Sequence, residues 1–239
     1  MISAEENQTI CLSIIIPTLN EENSISQTLS EVTRIAEPIE VIVVDGGSRD
    51  ETARVVRAYG LRFIESERGR GAQMHTGVCA AQGPVLWFLH ADTIPPPDAV
   101  NHIAEALRDP SVVGGNFGVR FDSERFSAHC LAWFYRQLRT VGLCYGDSAI
   151  FVKREAYERS GGFKSLPIFE DLDFLRRLKR TGRFVNVSAR VITSGRRFEG
   201  GRFVRTLMRW IALQLLYWLG VNPSRLARLY APVRHGGKE

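Results

Sequence analysis

The chain has 239 residues, 44% hydrophobic and 24% charged, the balance of a globular protein with enough apolar matter for a substantial core. Its 31 basic and 26 acidic residues give a net charge of +5. The four scattered cysteines (Cys11, Cys79, Cys130, Cys144) include no Cys-x-x-Cys pair; they argue against a zinc site or disulfide framework and suit a reducing cytoplasm. The polar start around Glu5 and Glu6 is not a signal peptide, and no run of about 18 apolar residues predicts a spanning helix.

Residues 11–17 read as a buried strand stopped by Pro17. Glu21 to Ala36 read as a helix with Ile25, Leu29, Val32 and Ile35 on one face. Ile39 to Val44 form a second strand, closed by Asp45-Gly46-Gly47-Ser48. A helix from near Asp50 to Ala58 and a short strand at Leu61 to Ile64 follow. Gly71 to Ala81 carry a helical pattern, and Gly83-Pro84 precede a fourth strand, Val85 to Leu89. This alternation predicts an α/β fold with parallel strands, helices on both faces, and ligands beyond the carboxyl ends of the strands. The second half is less regular. It reads as a helix (Asp98 to Leu107), a strand with paired glycines (Val112 to Phe121), an aromatic helix (Phe126 to Leu138) and a short strand (Ala149 to Val152). A brief helix (Ala156 to Ser160), a longer one (Asp171 to Arg180), a last strand (Val185 to Ile192) and a basic helical tail from Arg202 complete it. Pro95 to Pro97 mark a candidate division.

Seven segments carry candidate chemistry. Leu86 to Leu89 deliver His90-Ala91-Asp92-Thr93 to the rim of the sheet, where the Asp92 carboxylate suits a divalent cation bridging a diphosphate. An Asp at a strand end is also an ordinary turn former. Pro17-Thr18-Leu19-Asn20-Glu21-Glu22 is a plain capping signal taken alone. In Asp45-Gly46-Gly47-Ser48-Arg49-Asp50, Ser48 and Asp50 can cap the next helix, whereas Asp45 is harder to explain as structure and can accept from a ribose hydroxyl or a base N–H. Arg68-Gly69-Arg70-Gly71 lacks the third glycine of a dinucleotide fingerprint, and its arginines suit a base or phosphate. Phe169-Glu170-Asp171-Leu172-Asp173 places three acids at a helix start. The dipole accounts for one or two of them, and a surplus carboxylate can take a proton from an attacking hydroxyl. Gly146-Asp147-Ser148 either turns the chain or frames a pocket. Arg196 and Arg197, after the last strand, can clamp a diphosphate or belong to a basic surface.

In order and spacing, Ile14-Ile15-Ile16-Pro17-Thr18-Leu19-Asn20-Glu21-Glu22, Val43-Val44-Asp45-Gly46-Gly47-Ser48, His90-Ala91-Asp92-Thr93, Gly146-Asp147 and Glu170-Asp171 resemble the family 2 glycosyltransferases. The resemblance covers roughly residues 11 to 200. With Gly195-Arg196-Arg197-Phe198, the His90-Ala91-Asp92 run is similar to a bacterial subgroup of the radical-SAM/selenodomain-associated type. The resemblance implies a GT-A-type nucleotide-binding fold: a mostly parallel central sheet flanked by helices, with a helical C-terminal tail. It implies a domain over residues 1–200, with a donor part at 11–95 and an acceptor part at 96–200, and a basic amphipathic segment at 201–239.

The implied activity is transfer of a sugar, with inversion, from a nucleotide-diphospho-sugar to an acceptor hydroxyl, assisted by Mn2+ or Mg2+. Thr18, Asn20, Glu21, Asp45 and Gly46 would hold base and ribose, with Arg70 near the base or phosphates. Asp92 would be the metal-linked acid and Asp171 the base. Gly146, Asp147 and Glu170 would face the acceptor, and Arg196 or Arg197 would steady the departing diphosphate. UDP is the default nucleotide. Two residues depart from the family pattern. His90 stands where the first acid of the metal motif is usual, as a ligand or, more simply, a pocket-wall histidine; His75 replaces a common Asn. A nucleotidyltransferase and a non-catalytic nucleotide-sugar-binding protein are the rival readings, although the Gly-rich, Lys-bearing start of the former is missing. Within the tail, Phe203 to Leu219 reads equally as an interfacial membrane helix and as one buried against the domain or a homodimer partner. The acceptor is unassigned, a lipid-linked hydroxyl among the candidates; no nucleic-acid partner is expected. The implied location is cytoplasmic, with the inner membrane face as its variant.

Overall fold

The computed structural model describes residues 11–123, 137, 148–194 and 203–229. The expected aromatic helix at 126–138 lies outside them, apart from residue 137. So do Gly146, Asp147, Arg196 and Arg197.

Strand β1 (Leu12–Thr18) is buried along its whole length. It pairs in parallel with β2 (Ile39–Asp45) on one side and β4 (Val85–Phe88) on the other. Strand β3 (Arg62–Glu65) adds in parallel to β2. Strands β1, β2 and β4 are apolar runs because both faces are covered, whereas the edge strand β3 exposes Arg62 and Glu65. Alternation then sends successive side chains to two cores. Ile14, Ile16, Val41, Val43 and Trp87 join the core that includes Ile25 and Leu29 of α1 (Ile25–Val32) and Ile103 of α4 (Ala99–Leu107). Ile15, Ile42, Val44, Leu86 and Phe88 join the other, with Met74 and Val78 of α3 (Arg70–Ala80). Helix α2 (Thr52–Ala58) links β2 to β3.

The remaining strands make the sheet mixed. Its order is β3-β2-β1-β4-β7-β6-β8-β5. Strand β7 (Phe151–Lys153) runs antiparallel to both β4 and β6 (Val112–Phe121), while β6 and β8 (Arg183–Thr193) are parallel. The two-residue β5 (Thr93–Ile94) pairs antiparallel with the end of β8, and the Thr93 hydroxyl meets that of Thr193 at 3.0 Å. Helices α5 (Arg154–Arg159) and α6 (Glu170–Leu178) contribute Ala156, Tyr157, Phe174 and Leu175 to the second core. Helices α7 (Phe203–Trp218) and α8 (Pro223–Leu229) follow. The order reverses between β1 and β4, which opens a crevice at their carboxyl ends.

Two differences from the sequence reading have local causes. Helix α1 begins at Ile25 and ends at Val32, inside the expected span of 21–36. At its start, the Glu21 and Glu22 N–H groups donate to Thr52 and Asp50 of another loop. At its end, the Thr33 hydroxyl takes the Leu29 carbonyl. Strand β5 was absent from the expectation because two residues carry no period. Helix α3 can approach the loop before α6 only because residue 71 is glycine: a Cβ there would lie 2.1 Å from the Lys164 carbonyl oxygen.

Candidate active site

The loops after β1 and β2 cap each other. Asn20, in the left-handed region at φ 54°, donates its N–H to Ser48 Oγ at 2.9 Å and accepts the Arg49 N–H on Oδ1 at 2.9 Å. Glu21 N–H donates to Thr52 Oγ1 at 2.8 Å, and Glu22 N–H to Asp50 Oδ2 at 3.2 Å. In return Glu22 Oε2 accepts the Glu51 N–H at 2.9 Å. The helix caps expected within each loop are thus made largely between loops. Asp45 also has a structural task after all. Its buried carboxylate accepts the N–H groups of Gly47 and Ser48, at 3.0 and 2.8 Å, and the Ser48 hydroxyl. Burial would raise the Asp50 carboxyl above its ordinary 3.8, but hydrogen bonds from the Thr52 hydroxyl and from backbone N–H groups outweigh it and lower it.

Gln73 was overlooked because helical apolar spacing does not register a buried amide. Its Nε2 donates to the Thr18 carbonyl at 2.7 Å and the Val44 carbonyl at 2.9 Å. The amide therefore fastens the carboxyl ends of β1 and β2 to α3. Gly46 must be small beside it, since a Cβ would sit 3.0 Å from Gln73 Cδ. At the same end of β1 the Thr18 hydroxyl is buried and has no hydrogen-bond partner among the described residues. Such a group is costly unless something from outside the chain bonds it.

Asp92 is positioned by the turn beyond β4. Thr93 N–H donates to the His90 carbonyl at 3.1 Å, and the buried Thr28 hydroxyl, also unanticipated, donates to the Ala91 carbonyl at 2.9 Å. The half-exposed Asp92 offers one hard oxygen donor. No group of three or more metal-ligating side chains occurs among the described residues. This set fits Mg2+ or Mn2+ completed by phosphate oxygens, since such ions are often held by one or two carboxylates and a substrate diphosphate.

Arg70 connects this turn to α6. Its Nε lies 3.0 Å from the buried Glu170 carboxylate, and its Nη1 lies 3.2 Å from His90 Nε2. A guanidinium only donates, so His90 Nε2 accepts. That lone pair is engaged, which favours a pocket-wall histidine over a metal ligand. The acids of α6 divide their work. Glu170 meets Arg70, while Asp173 pairs with Arg177 at 2.7 Å and Arg176 at 3.3 Å. Asp171 is half-exposed at the rim and accepts the Leu172 N–H at 2.8 Å. Before them Phe169, at φ 64°, packs its ring 4.9 Å from that of Tyr217 in α7. One guanidinium therefore ties the segment bearing Asp92 to the segment bearing Asp171.

His75 is directed elsewhere: its Nδ1 lies 3.1 Å from the Tyr157 hydroxyl. Burial pushes the Tyr157 pKa up to about 12, so that hydroxyl keeps its proton. Of Gly146-Asp147-Ser148, Ser148 falls within the described residues. Its buried hydroxyl accepts from Asn116 Nδ2 at 3.0 Å.

The profile described as Glycosyl transferase family 2 matches residues 13–161. An uncharacterised glycosyltransferase of Mycobacterium tuberculosis is 34% identical over 118 residues, 46% of this chain and 45% of that protein. The 4,4'-diaponeurosporenoate glycosyltransferase of Staphylococcus aureus is 46% identical over 54 residues, 23% of this chain and 14% of that protein. The chain thus spans less than half the length of these curated relatives. Among solved structures, S. aureus TarS 1–349 in complex with UDP-GlcNAc aligns at TM-score 0.63 and 20% identity, over 87% of this chain and 67% of that one. A mannosyltransferase of Pyrobaculum calidifontis in complex with GDP-Man and Mn2+ aligns at TM-score 0.65 and 21% identity, over 85% and 61%. The M. tuberculosis glucosyl-3-phosphoglycerate synthase with Mn2+, UDP and phosphoglyceric acid aligns at 0.60 and 20%, over 87% and 78%. At these identities the likeness establishes the fold.

Two measurements check the clamp and the loops. Arg70→Ala leaves Glu170 buried without its cation and is expected to cost about 1.5–3 kcal/mol in denaturant unfolding. Adding Glu170→Gln should return part of it, and strictly additive losses would show no coupling. For Asp50, a lowered folded pKa means stability that is present above the unfolded value and lost as pH falls through the folded one. The stability advantage over Asp50→Asn should therefore be full near about pH 6 and vanish by about pH 2 in thermal melts; a pH-independent difference would refute the carboxylate's role.

Proposed function

The chain belongs to glycosyl transferase family 2 and has the GT-A fold, and on that premise we propose that it transfers a sugar from a nucleotide-diphospho-sugar to an acceptor hydroxyl with inversion. The observation that carries the reading is the Arg70 clamp, which joins the Asp92 turn to the Asp171 helix start across the crevice. The donor belongs to the part formed by residues 11–95. Thr18, with its unpartnered buried hydroxyl, and Asp45, Gly46, Asn20 and Glu21 beside it are the base and ribose side. Arg70 and Asp92 are the phosphate side. A UDP-sugar is the favoured donor; TarS with UDP-GlcNAc and the synthase with UDP support it, while the mannosyltransferase with GDP-Man makes guanine the comparison to run.

Asp92 would hold Mn2+ or Mg2+, which supplies positive charge against the charge gathering on the departing diphosphate. The chain's own residues do the rest. Arg70 holds Glu170 in place. Asp171, at the rim, takes the proton of the acceptor hydroxyl as it attacks the anomeric carbon from the face opposite the diphosphate. Residues 96–200 form the acceptor part, with Glu170, Gly146 and Asp147 facing the acceptor and Arg196 or Arg197 meeting the leaving diphosphate; residues 201–239 are the basic, amphipathic helical C-terminal segment. The scattered cysteines support a cytoplasmic site of action. The His90-Ala91-Asp92 run supports a place in the radical-SAM/selenodomain-associated subgroup.

Asp171→Asn should leave UDP binding by thermal shift unchanged and slow donor hydrolysis about 10²–10⁴-fold; unchanged hydrolysis removes Asp171 from the mechanism. Asp92→Ala should abolish the gain in UDP affinity that Mn2+ gives the native chain, measured calorimetrically. An equal gain in both proteins removes Asp92 as the ligand.

A further inference from the structure

Helix α7 has two apolar sides. On the inner side Leu213 is buried, and Leu207, Trp210 and Tyr217 pack against the first core. On the outer side Met208 is 61% exposed, Leu215 51%, Trp218 54% and Leu219 80%. Met208, Leu215 and Leu219 follow at intervals of seven and four, which is one stripe of a helix. Leu229 of α8 is also 54% exposed. A stripe of large exposed side chains on a helix already anchored by its other face marks an interaction surface.

The charge around the stripe says what covers it. Arg209, Arg225 and Arg228 are exposed. From Gly200 to Lys238 the sequence has Arg202, Arg205, Arg209, Arg225, Arg228 and Arg234 and no aspartate or glutamate. A second copy seated on this face across a two-fold axis would bring the same basic patch against itself, and like charges there are repelled. Anionic lipid offers the opposite charge together with an apolar layer beneath it. No helix among the described residues is long and apolar enough to cross a membrane, so the helix would lie in the interface. We propose that the outer face of α7, with α8, docks on an anionic bilayer surface. Met208, Leu215, Trp218 and Leu219 enter the boundary between headgroups and acyl chains, and the arginines meet lipid phosphates.

The fold presents this face as a fixed unit. Gly220, at φ 86°, ends α7 with Gly220 N–H donating to the Tyr217 carbonyl and Val221 N–H to that of Leu216, the paired bonds of a Schellman turn. Asn222 Oδ1 then accepts the Ser224 N–H at 2.8 Å, and Arg209 Nη2 donates to the Leu229 carbonyl, fastening α8 back on α7. The inner face reaches the site, since Tyr217 packs on Phe169 immediately before Glu170 and Asp171. If the transfer reading holds, docking brings the proton acceptor to a surface where a lipid-borne hydroxyl can be met.

The test is flotation of the full chain with vesicles of phosphatidylcholine alone or mixed with phosphatidylglycerol. Retention is expected with the mixed vesicles only, falling as salt is raised. It should weaken about fivefold for each of Arg225→Ala and Arg228→Ala, and at least about tenfold in Leu215→Glu/Leu219→Glu. Unchanged UDP thermal shifts show these variants folded. Absence of retention on mixed vesicles, or equal retention on both kinds, overturns the proposal. So does a native dimer in light scattering that Leu215→Glu/Leu219→Glu splits without any vesicle binding, which would make the face a self-interface. Retention is read without turnover, so its failure leaves the transfer reading standing, and the reverse also holds.

Discussion

The arrangement depends on one cation placed between the turn after β4 and the start of α6. Glu170 is almost wholly withdrawn from water, a position a carboxylate holds only when its charge is answered close by. Arg70 gives that answer and uses a second N–H on His90. The planar guanidinium can serve two acceptors at fixed angles where an ammonium would serve a point. Its location is set by backbone rather than by its own packing: Gly69, at φ 141°, turns the chain into α3, and Gly71 allows the Lys164 carbonyl to close in. Small residues on both sides thus bring a long charged one to the meeting point.

The motif residues at the carboxyl ends of β1 and β2 have more structural work than their chemistry alone suggests. Asn20, Ser48, Asp50 and Thr52 spend their polar atoms on one another's backbones, and Asp45 spends its carboxylate on the Gly47-Ser48 turn. This makes a rigid double loop at the ends of β1 and β2, braced from behind by Gln73. Preorganisation of this kind lowers the ordering cost of binding. It also means that loss of binding in a variant of these loops reports on the scaffold as much as on direct contact.

Strands β1 and β2 were legible because burial on both faces writes continuous β-branched runs, Ile14-Ile15-Ile16 and Val41-Ile42-Val43-Val44. Strand β6 spans Val112–Phe121, the same bounds as the sequence reading. The direction of β7 was not, since three residues carry no mark of which neighbours they will join. The start of α1 was overestimated because the N–H groups before it are satisfied from a loop distant in sequence. Of the site, the acids at strand and helix ends could be picked out by surplus, and the structure divides them. Asp173 and Glu170 go to arginines, while Asp171 stands at the rim. Gln73 and Thr28 were invisible because a polar side chain turned inward breaks the pattern that reveals a helix face.

The antiparallel β7, wedged between β4 and β6, also governs the order in which the chain can be completed. Until Phe151 to Lys153 have been synthesised, β4 presents a row of unmatched amides and carbonyls, and β6 has no bridge to β1–β4. The N-terminal portion is therefore a sheet with one raw edge, the situation that invites misassociation in nascent chains. A late, short segment acts as the keystone, and the crevice can take its shape only once that keystone has been set.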